Sequence, residues 1–344
     1  MELYNKLSKK DRIKLIEKAG EKRFTLSFYK YELIKNLEIF RNSLFLKFNS
    51  IDVLGRIYIA NEGINAQLSL PAKNICLLKE ILDEIPFLQN VRLNIAIEHD
   101  NQSFLKLRIK IRDKIVADGL GNYEYDLKNN GIHVNANEFN ELLNDEDTIT
   151  IDMRNHYESE IGHFKGANLP DVDTFRESLP IINKKYSKYK KDKKILMYCT
   201  GGIRCEKASA YLMQNGYENV FQLDGGIIEY TRQVKYEKIQ NKFVGKNFVF
   251  DNRLSERISN KIISKCHQCG NKCDEHVNCN NEGCHLLFIQ CKKCRLKYSG
   301  CCSTNCKEVF QLPVDDQIKL RKGKKNSKKI FKKGRFNQKV FKKL

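Results

Sequence analysis

The stretch KKILMYCTGGIRCEKASAYLMQNG, residues 193–216, decides how this chain folds. KKILMYC is a continuous apolar run after two lysines, the pattern of a strand buried on both faces. Two glycines follow. From Cys205 the apolar residues recur at helical spacing until Gly216 stops them. Strand, glycine loop and helix make the repeating unit of a parallel α/β sheet, in which reactive groups gather at the carboxyl ends of strands. Cys199 occupies that position. The backbone N–H groups of Thr200, Gly201, Gly202 and Ile203, with those of the helix N-terminus, can point at its sulfur and favour the thiolate. Arg204 adds a fixed positive charge. For a cysteine taken at random a buried structural role is the plainer reading; here the glycines, the arginine and the setting together favour a nucleophile. Cys205 is either a resolving thiol that forms a disulfide with Cys199 or a small apolar residue packed in the first helical turn.

The neighbouring segments extend the same sheet. NEFNELLND (137–145) predicts a short helix, TITIDMR (148–154) an apolar strand ending in charge, and VFQLDGG (220–226) a further strand closed by glycines. Residues 138–238 therefore predict an α/β domain, and the turn-rich residues 118–137 a linker before it. Upstream, residues 23–117 mix aromatic and period-two runs (FTLSFYKYEL, 24–33; VRLNIAIEH, 91–99; LKLRIKIR, 105–112) with helix-like runs at 37–48 and 72–85. That order predicts an α+β domain with helices on one face of a mostly antiparallel sheet. Residues 1–22 form a charged N-terminal segment. Residues 239–312 are a Cys-rich region entered through a polar bridge at about 240–265, and 313–344 a basic tail expected to be disordered.

Charge and cysteine placement narrow the function classes. The formal net charge is +20, but residues 319–344 hold 13 basic side chains and no acidic ones, which leaves +7 on the rest. The tail interleaves Phe331, Phe336 and Phe341 with its lysines, a composition suited either to RNA or to a solvated terminus of non-specific affinity. Ten of the 13 cysteines fall between Cys266 and Cys306, too local for a disulfide-stapled secreted protein. Two Cys-x2-Cys pairs, Cys266/Cys269 and Cys291/Cys294, stand 21 residues apart and are candidate zinc ligands. The other cysteines of the region, with His267, His276 and His285, could serve a second ion. An array of thiols without metal, or an iron–sulfur cluster, are the alternatives. The charged start and the lack of a long apolar run predict a cytoplasmic protein with no membrane span.

CTGGIR after an apolar strand resembles the active-site loop of rhodanese domains, whose first cysteine carries sulfur as a persulfide. TITIDMRNHYESEIGHFKGANLP (148–170) and VFQLDGGIIEY (220–230) resemble the flanking rhodanese segments. Four residues separate Cys199 from Arg204, where the related cysteine phosphatases have five, so a phosphatase is disfavoured. GRIYIANEGINAQLS (55–69) and CHQCGNKCDEHVNCNNEGCHLLFIQCKKC (266–294) are similar to the outer domains of the bacterial tRNA uridine hydroxylases. The resemblance covers about residues 20–310. It implies a ferredoxin-like or acylphosphatase-like α+β domain, a central rhodanese α/β domain and a C-terminal Cys-rich segment. It also implies oxygen-dependent 5-hydroxylation of uridine 34 in the tRNA anticodon loop, with molecular oxygen as co-substrate and Cys199 and Arg204 as the catalytic residues. A persulfide sulfurtransferase and a non-catalytic RNA-binding module are the competing functions. His156 and His163 are candidates for the pocket wall, with structural hydrogen bonding the commoner role of such histidines.

Overall fold

The computed structural model describes residues 7–323; the first six residues and the basic stretch after Gly323 lie outside the described residues. The charged N-terminal segment forms helix α1 (Lys9–Ala19), with the Ser8 hydroxyl accepting from the Asp11 N–H and Gly20 closing it in the left-handed region. Next come β1 (Arg23–Tyr31), α2 (Leu37–Ser50), β2 (Leu54–Ala60), β3 (Gly63–Pro71), α3 (Ile75–Asp83), β4 (Asn94–Ile95) and β5 (Leu107–Ile111). The strands join in the order β4-β1-β3-β2-β5, antiparallel except for the parallel β2–β5 pair.

Period two sorts the two faces of this sheet. Leu26, Phe28, Ile57, Ile59, Ile64, Ala66 and Leu68 pack against Leu44 and Phe48 of α2 and Leu78 and Leu82 of α3. Each of these leucine, isoleucine and phenylalanine side chains contributes about 1.5–3 kcal/mol through burial. The alternate positions Ser27, Tyr29, Arg56, Tyr58, Asn65 and Gln67 necessarily face the other way. The strand expected over 91–99 is reduced to Asn94–Ile95. The N–H groups of Ile97 and Glu98 donate to the Glu256 carboxylate, not to a neighbouring strand, which ends the ladder.

The central sheet takes β6 (Ile132–Val134), β7 (Thr148–Asp152), β9 (Lys194–Tyr198) and β10 (Val220–Leu223) in the order β6-β10-β9-β7, parallel throughout. Helices α4 (Ala136–Asn144) and α8 (Gly226–Glu237) cover one face; α6 (Phe175–Tyr186) and α7 (Ile203–Gln214) cover the other. β6 lies inside the segment read as a linker. It is an edge strand with only Val134 buried, so no apolar period announced it.

Two further expectations are corrected. The supposed polar bridge contains β11 (Phe243–Phe248), which pairs with β8 (Gly162–Phe164), just after the short helix α5 (His156–Ser159), and with β12 (Ser255–Arg257). Its lysine is buried because it is paired: Lys246 Nζ lies 2.6 Å from Glu275 and 3.3 Å from Asp274. The strands β13 (His276–Asn278) and β14 (Leu287–Ile289) then pair antiparallel, followed by α9 (Lys292–Lys297), α10 (Thr304–Gln311) and α11 (Val314–Arg321). α11 occupies the start of the stretch expected to be disordered. Asp315 and Asp316 in its first turn and Lys319 and Arg321 in its last suit the helix dipole, and Arg321 pairs with Glu282. Among the described residues no helix is long and apolar enough to cross a membrane.

Candidate active site

Cys199 follows the last residue of β9, fully buried, and the loop to α7 curls around its sulfur. The Gly202 N–H donates to Sγ at 3.2 Å. Gly202 holds φ at +100°, and a Cβ there would come within 2.7 Å of the Tyr29 hydroxyl, so the position needs glycine twice over. From the opposite side the first turn of α8 fixes the loop: the Ile227 and Ile228 N–H groups donate to the Cys199 and Thr200 carbonyls at 3.0 and 3.2 Å. Gly226 permits this approach, since a Cβ there would lie 2.6 Å from the Cys199 carbonyl oxygen.

Burial by itself pushes the Cys199 thiol up. The Cys205 thiol hydrogen bond, the Arg204 guanidinium and the Arg204 and Cys205 N–H groups outweigh it and bring the thiol down to about 6. Cys205, equally buried, is pushed well up by burial and by the Cys199 sulfur it serves. The two cysteines are thus divided into a thiolate acceptor and a thiol donor. Arg204 is not a free charge. It forks onto Glu158 of α5 at 2.6 and 2.9 Å and reaches the Thr200 hydroxyl at 3.4 Å. Glu158, fully buried, was missed by sequence reasoning; its position in the acidic turn after Asp152-Met153-Arg154 was the available signal. Asp152 and Arg154 pair with each other at 2.7 Å, and Arg154 also donates to the Gly162 carbonyl, which makes that motif a buried brace for the strand end.

The polar face of the N-terminal sheet roofs this loop. Tyr29 donates to Glu206 at 2.9 Å, Tyr31 to the Ile203 carbonyl at 3.0 Å, and Asn94 to the Gly201 carbonyl at 3.3 Å. Arg92 forks onto Asp224, and the fully buried Lys207 holds both Glu62 and Asp118 at 2.8 Å. Between roof and loop lies a cavity of about 540 Å³. Cys199, Thr200, Gly201, Ile203 and Arg204 line its floor; Ser27, Tyr29, Arg56, Tyr58, Asn65 and Gln67 line the roof. Arg56, Tyr58, Asn65 and Gln67 lie in the 55–69 stretch that carried the family resemblance, but no sequence signal gave the roof residues a role. The size suits a nucleobase or similar small ligand. His156 and His163 are held by the Val172 and Ser159 carbonyls and do not line the cavity.

The Cys-rich segment gathers two sets of four sulfurs. Cys266, Cys269, Cys291 and Cys294 form one, and Cys279, Cys284, Cys302 and Cys306 the other, with the sulfurs of each within 4.8 Å of one another. Sulfur pairs at 3.6 and 3.7 Å match the edge of about 3.8 Å that a tetrahedron with Zn–S bonds of about 2.3 Å requires. Both sets therefore fit a tetrahedral thiolate-bound ion. The pairs interleave along the chain, first set, second, first, second. No histidine joins either set: His267, for example, is engaged by Glu160 at 2.7 Å.

Three family models match in sequence order: UPF0176 acylphosphatase like domain over residues 23–115, Rhodanese-like domain over 135–233 and Rhodanase C-terminal over 244–307. A Leptospira interrogans protein named tRNA uridine(34) hydroxylase is 51% identical over 98% of this chain and 92% of its own length. A Photorhabdus laumondii protein of the same name is 50% identical over 97% of this chain and 95% of its own. With half its residues shared along nearly its whole length, the chain belongs to the tRNA uridine(34) hydroxylase family.

Proposed function

We propose that this protein hydroxylates C5 of the wobble uridine, position 34, of tRNA, with molecular oxygen as co-substrate and Cys199 as the nucleophile. The observation that carries the reading is a thiol brought to about 6 at the floor of a base-sized cavity, in a chain half identical to proteins of that name. C5 and C6 of uracil belong to a conjugated enone. A thiolate adding at C6 pushes the electron pair onto C5 and O4, and the enolate carbon is the atom that meets an oxidant. Loss of the C5 proton and of the thiolate restores the ring. Over the whole reaction one oxygen atom enters C5 and the other leaves as water, with two electrons from an external reductant and two protons. An anticodon-loop base reaches the cavity by unstacking, which costs least in single-stranded RNA.

In this reading Arg204 is a positioning residue, held by Glu158, whose charge sustains the Cys199 thiolate. Thr200, Gly201, Gly202 and Ile203 form the loop that presents the sulfur. Cys205 donates to it, and it is also the resolving thiol: a Cys199 sulfenic acid would condense with it to a disulfide and water. Zn2+ held by Cys266, Cys269, Cys291 and Cys294 would pin the Cys-rich region as a structural cross-link and takes no part in the chemistry. The protein acts in the cytoplasm on tRNA.

A persulfide sulfurtransferase is the second reading, favoured by the Gly202 N–H aimed at Sγ, which would equally hold a persulfide anion. Mass spectrometry of tRNA nucleosides from a deletion strain separates the two. Loss of 5-hydroxyuridine, restored by the wild-type gene and not by Cys199→Ala, supports hydroxylation. Loss of a thiolated nucleoside supports sulfur transfer. Full rescue by Cys199→Ala would remove both and leave an RNA-binding module.

A further inference from the structure

A second hollow, of about 600 Å³, adjoins the Cys199 cavity and shares Arg56 and Phe250 with it. It runs between the β2–β5 edge of the N-terminal sheet and the C-terminal segment, where Lys106, Arg108 and His285 also line it. Its acidic lining residue, Asp251, is already forked by Arg253. The basic groups are not so engaged. Among the described residues Arg56, Lys106 and Arg108 have no acidic partner, and neither do Lys110 and Arg112, which continue past Arg108 at the sheet edge.

The pairing register sharpens this. β2 and β5 run parallel with Arg56 directly beside Arg108 and Tyr58 beside Lys110. Residues in register point to the same face, about 4.8 Å apart between strands. Two like charges set side by side destabilise a sheet. An edge that keeps such a pair without a protein carboxylate is built for an anion from outside. A base delivered to Cys199 brings its own anions, the two phosphates that flank its nucleotide, and Arg56 lines both the base cavity and the adjoining hollow.

Resting on the reading that the cavity receives a tRNA uridine, we infer that the Arg56–Arg108 pair and the adjoining groove carry the sugar–phosphate chain of the anticodon loop flanking that uridine. Arg56 faces both hollows and so links base entry to backbone capture. Arg108 and Lys106 extend the track away from the reacting base. Such contacts fix register on the RNA and carry no sequence information, which the other roof side chains are left to supply.

The test uses the full chain and a 17-nucleotide anticodon stem–loop, with dissociation constants from fluorescence anisotropy at several salt concentrations. Arg56→Gln/Arg108→Gln is expected to weaken binding at least about tenfold at 50 mM salt. The slope of log affinity against log salt should fall by about 1.4, two phosphates at about 0.7 each. A control removes equal charge from exposed lysines outside both hollows, Lys184→Gln/Lys188→Gln, and should leave the slope unchanged. Arg108→Gln alone should also hold or raise the melting temperature of the free protein, because it relieves repulsion. Binding within twofold of wild type in the arginine double variant, or an equal loss in the lysine control, overturns the inference. 5-Hydroxyuridine formation by the wild type is scored separately: its absence refutes the hydroxylase reading, whereas normal product with normal binding by the double variant refutes only the groove.

Discussion

Replacing Cys205 by alanine should raise the Cys199 thiol, and replacing it by serine should not. The donor from Cys205 leads the interactions that oppose the burial penalty on Cys199 and hold the thiol at about 6. A hydrogen bond to a charged acceptor is worth about 1.5–3 kcal/mol, and one pKa unit is about 1.4 kcal/mol, so its loss lifts the thiol by about one to two units. At pH 6.5 the thiolate share then drops from about three quarters to about a quarter or about 3%, slowing alkylation about three- to twenty-five-fold. The serine hydroxyl still donates and keeps the midpoint near that of the wild type. The assay is the rate of iodoacetamide labelling of the Cys199 peptide between pH 5 and 9, read by mass spectrometry so that the other cysteines do not interfere. The sign is fixed: the nucleophile disappears as pH falls through the midpoint, and in the alanine variant it disappears at higher pH. A midpoint that stays near 6 in Cys205→Ala would refute the division of the two cysteines into acceptor and donor. A midpoint that rises equally in both variants would trace the effect to packing.

Other substitutions test the supports of the loop. Arg204→Met leaves Glu158 buried without its partner and should cost about 3–5 kcal/mol of stability. Arg204→Met/Glu158→Leu should recover most of that in thermal denaturation while the Cys199 labelling midpoint stays high, since the guanidinium charge is still absent. Gly202→Ala combines backbone strain of about 1–3 kcal/mol with the Tyr29 contact. Adding Tyr29→Phe should recover part of the lost melting temperature; no recovery would mean that the hydroxyl contact is not limiting. Protein purified without added metal should contain two zinc ions per chain by elemental analysis, and one after Cys269→Ser. Zero in the wild type would dismiss the tetrathiolate sites.

What could be read from the sequence was local chemistry. Cys199 betrayed itself because strand, glycines and helix are consecutive; an aromatic-rich run marked β1 and a period-two run marked β5. The roof could not be read in that way, because its contacts join residues far apart: Tyr29 meets Glu206 across 177 positions, and Arg92 meets Asp224 across 132. Gln67 and Asn65 are polar alternates of an amphipathic sheet, and only the docking of the central domain turns that face into a lining. β11 was hidden for a related reason. Lys246 and Asn247 gave it a polar appearance, yet both are buried, with Lys246 paired to acids near residue 275. The first sulfur set was legible from its two Cys-x2-Cys pairs, whereas the second, Cys279, Cys284, Cys302 and Cys306, has no such spacing and could not be sorted from the remaining cysteines and histidines of the region.

The lysine that joins Glu62 to Asp118 has a bearing on how such a protein can evolve. Lys207 belongs to the helix that presents the reactive cysteine, while its two counterions come from the N-terminal domain and the segment after it. A central domain transplanted from another member of its wide fold group would bring a similar loop and none of these counterparts. A central domain exchanged alone would therefore need a basic side chain at this position to meet Glu62 and Asp118.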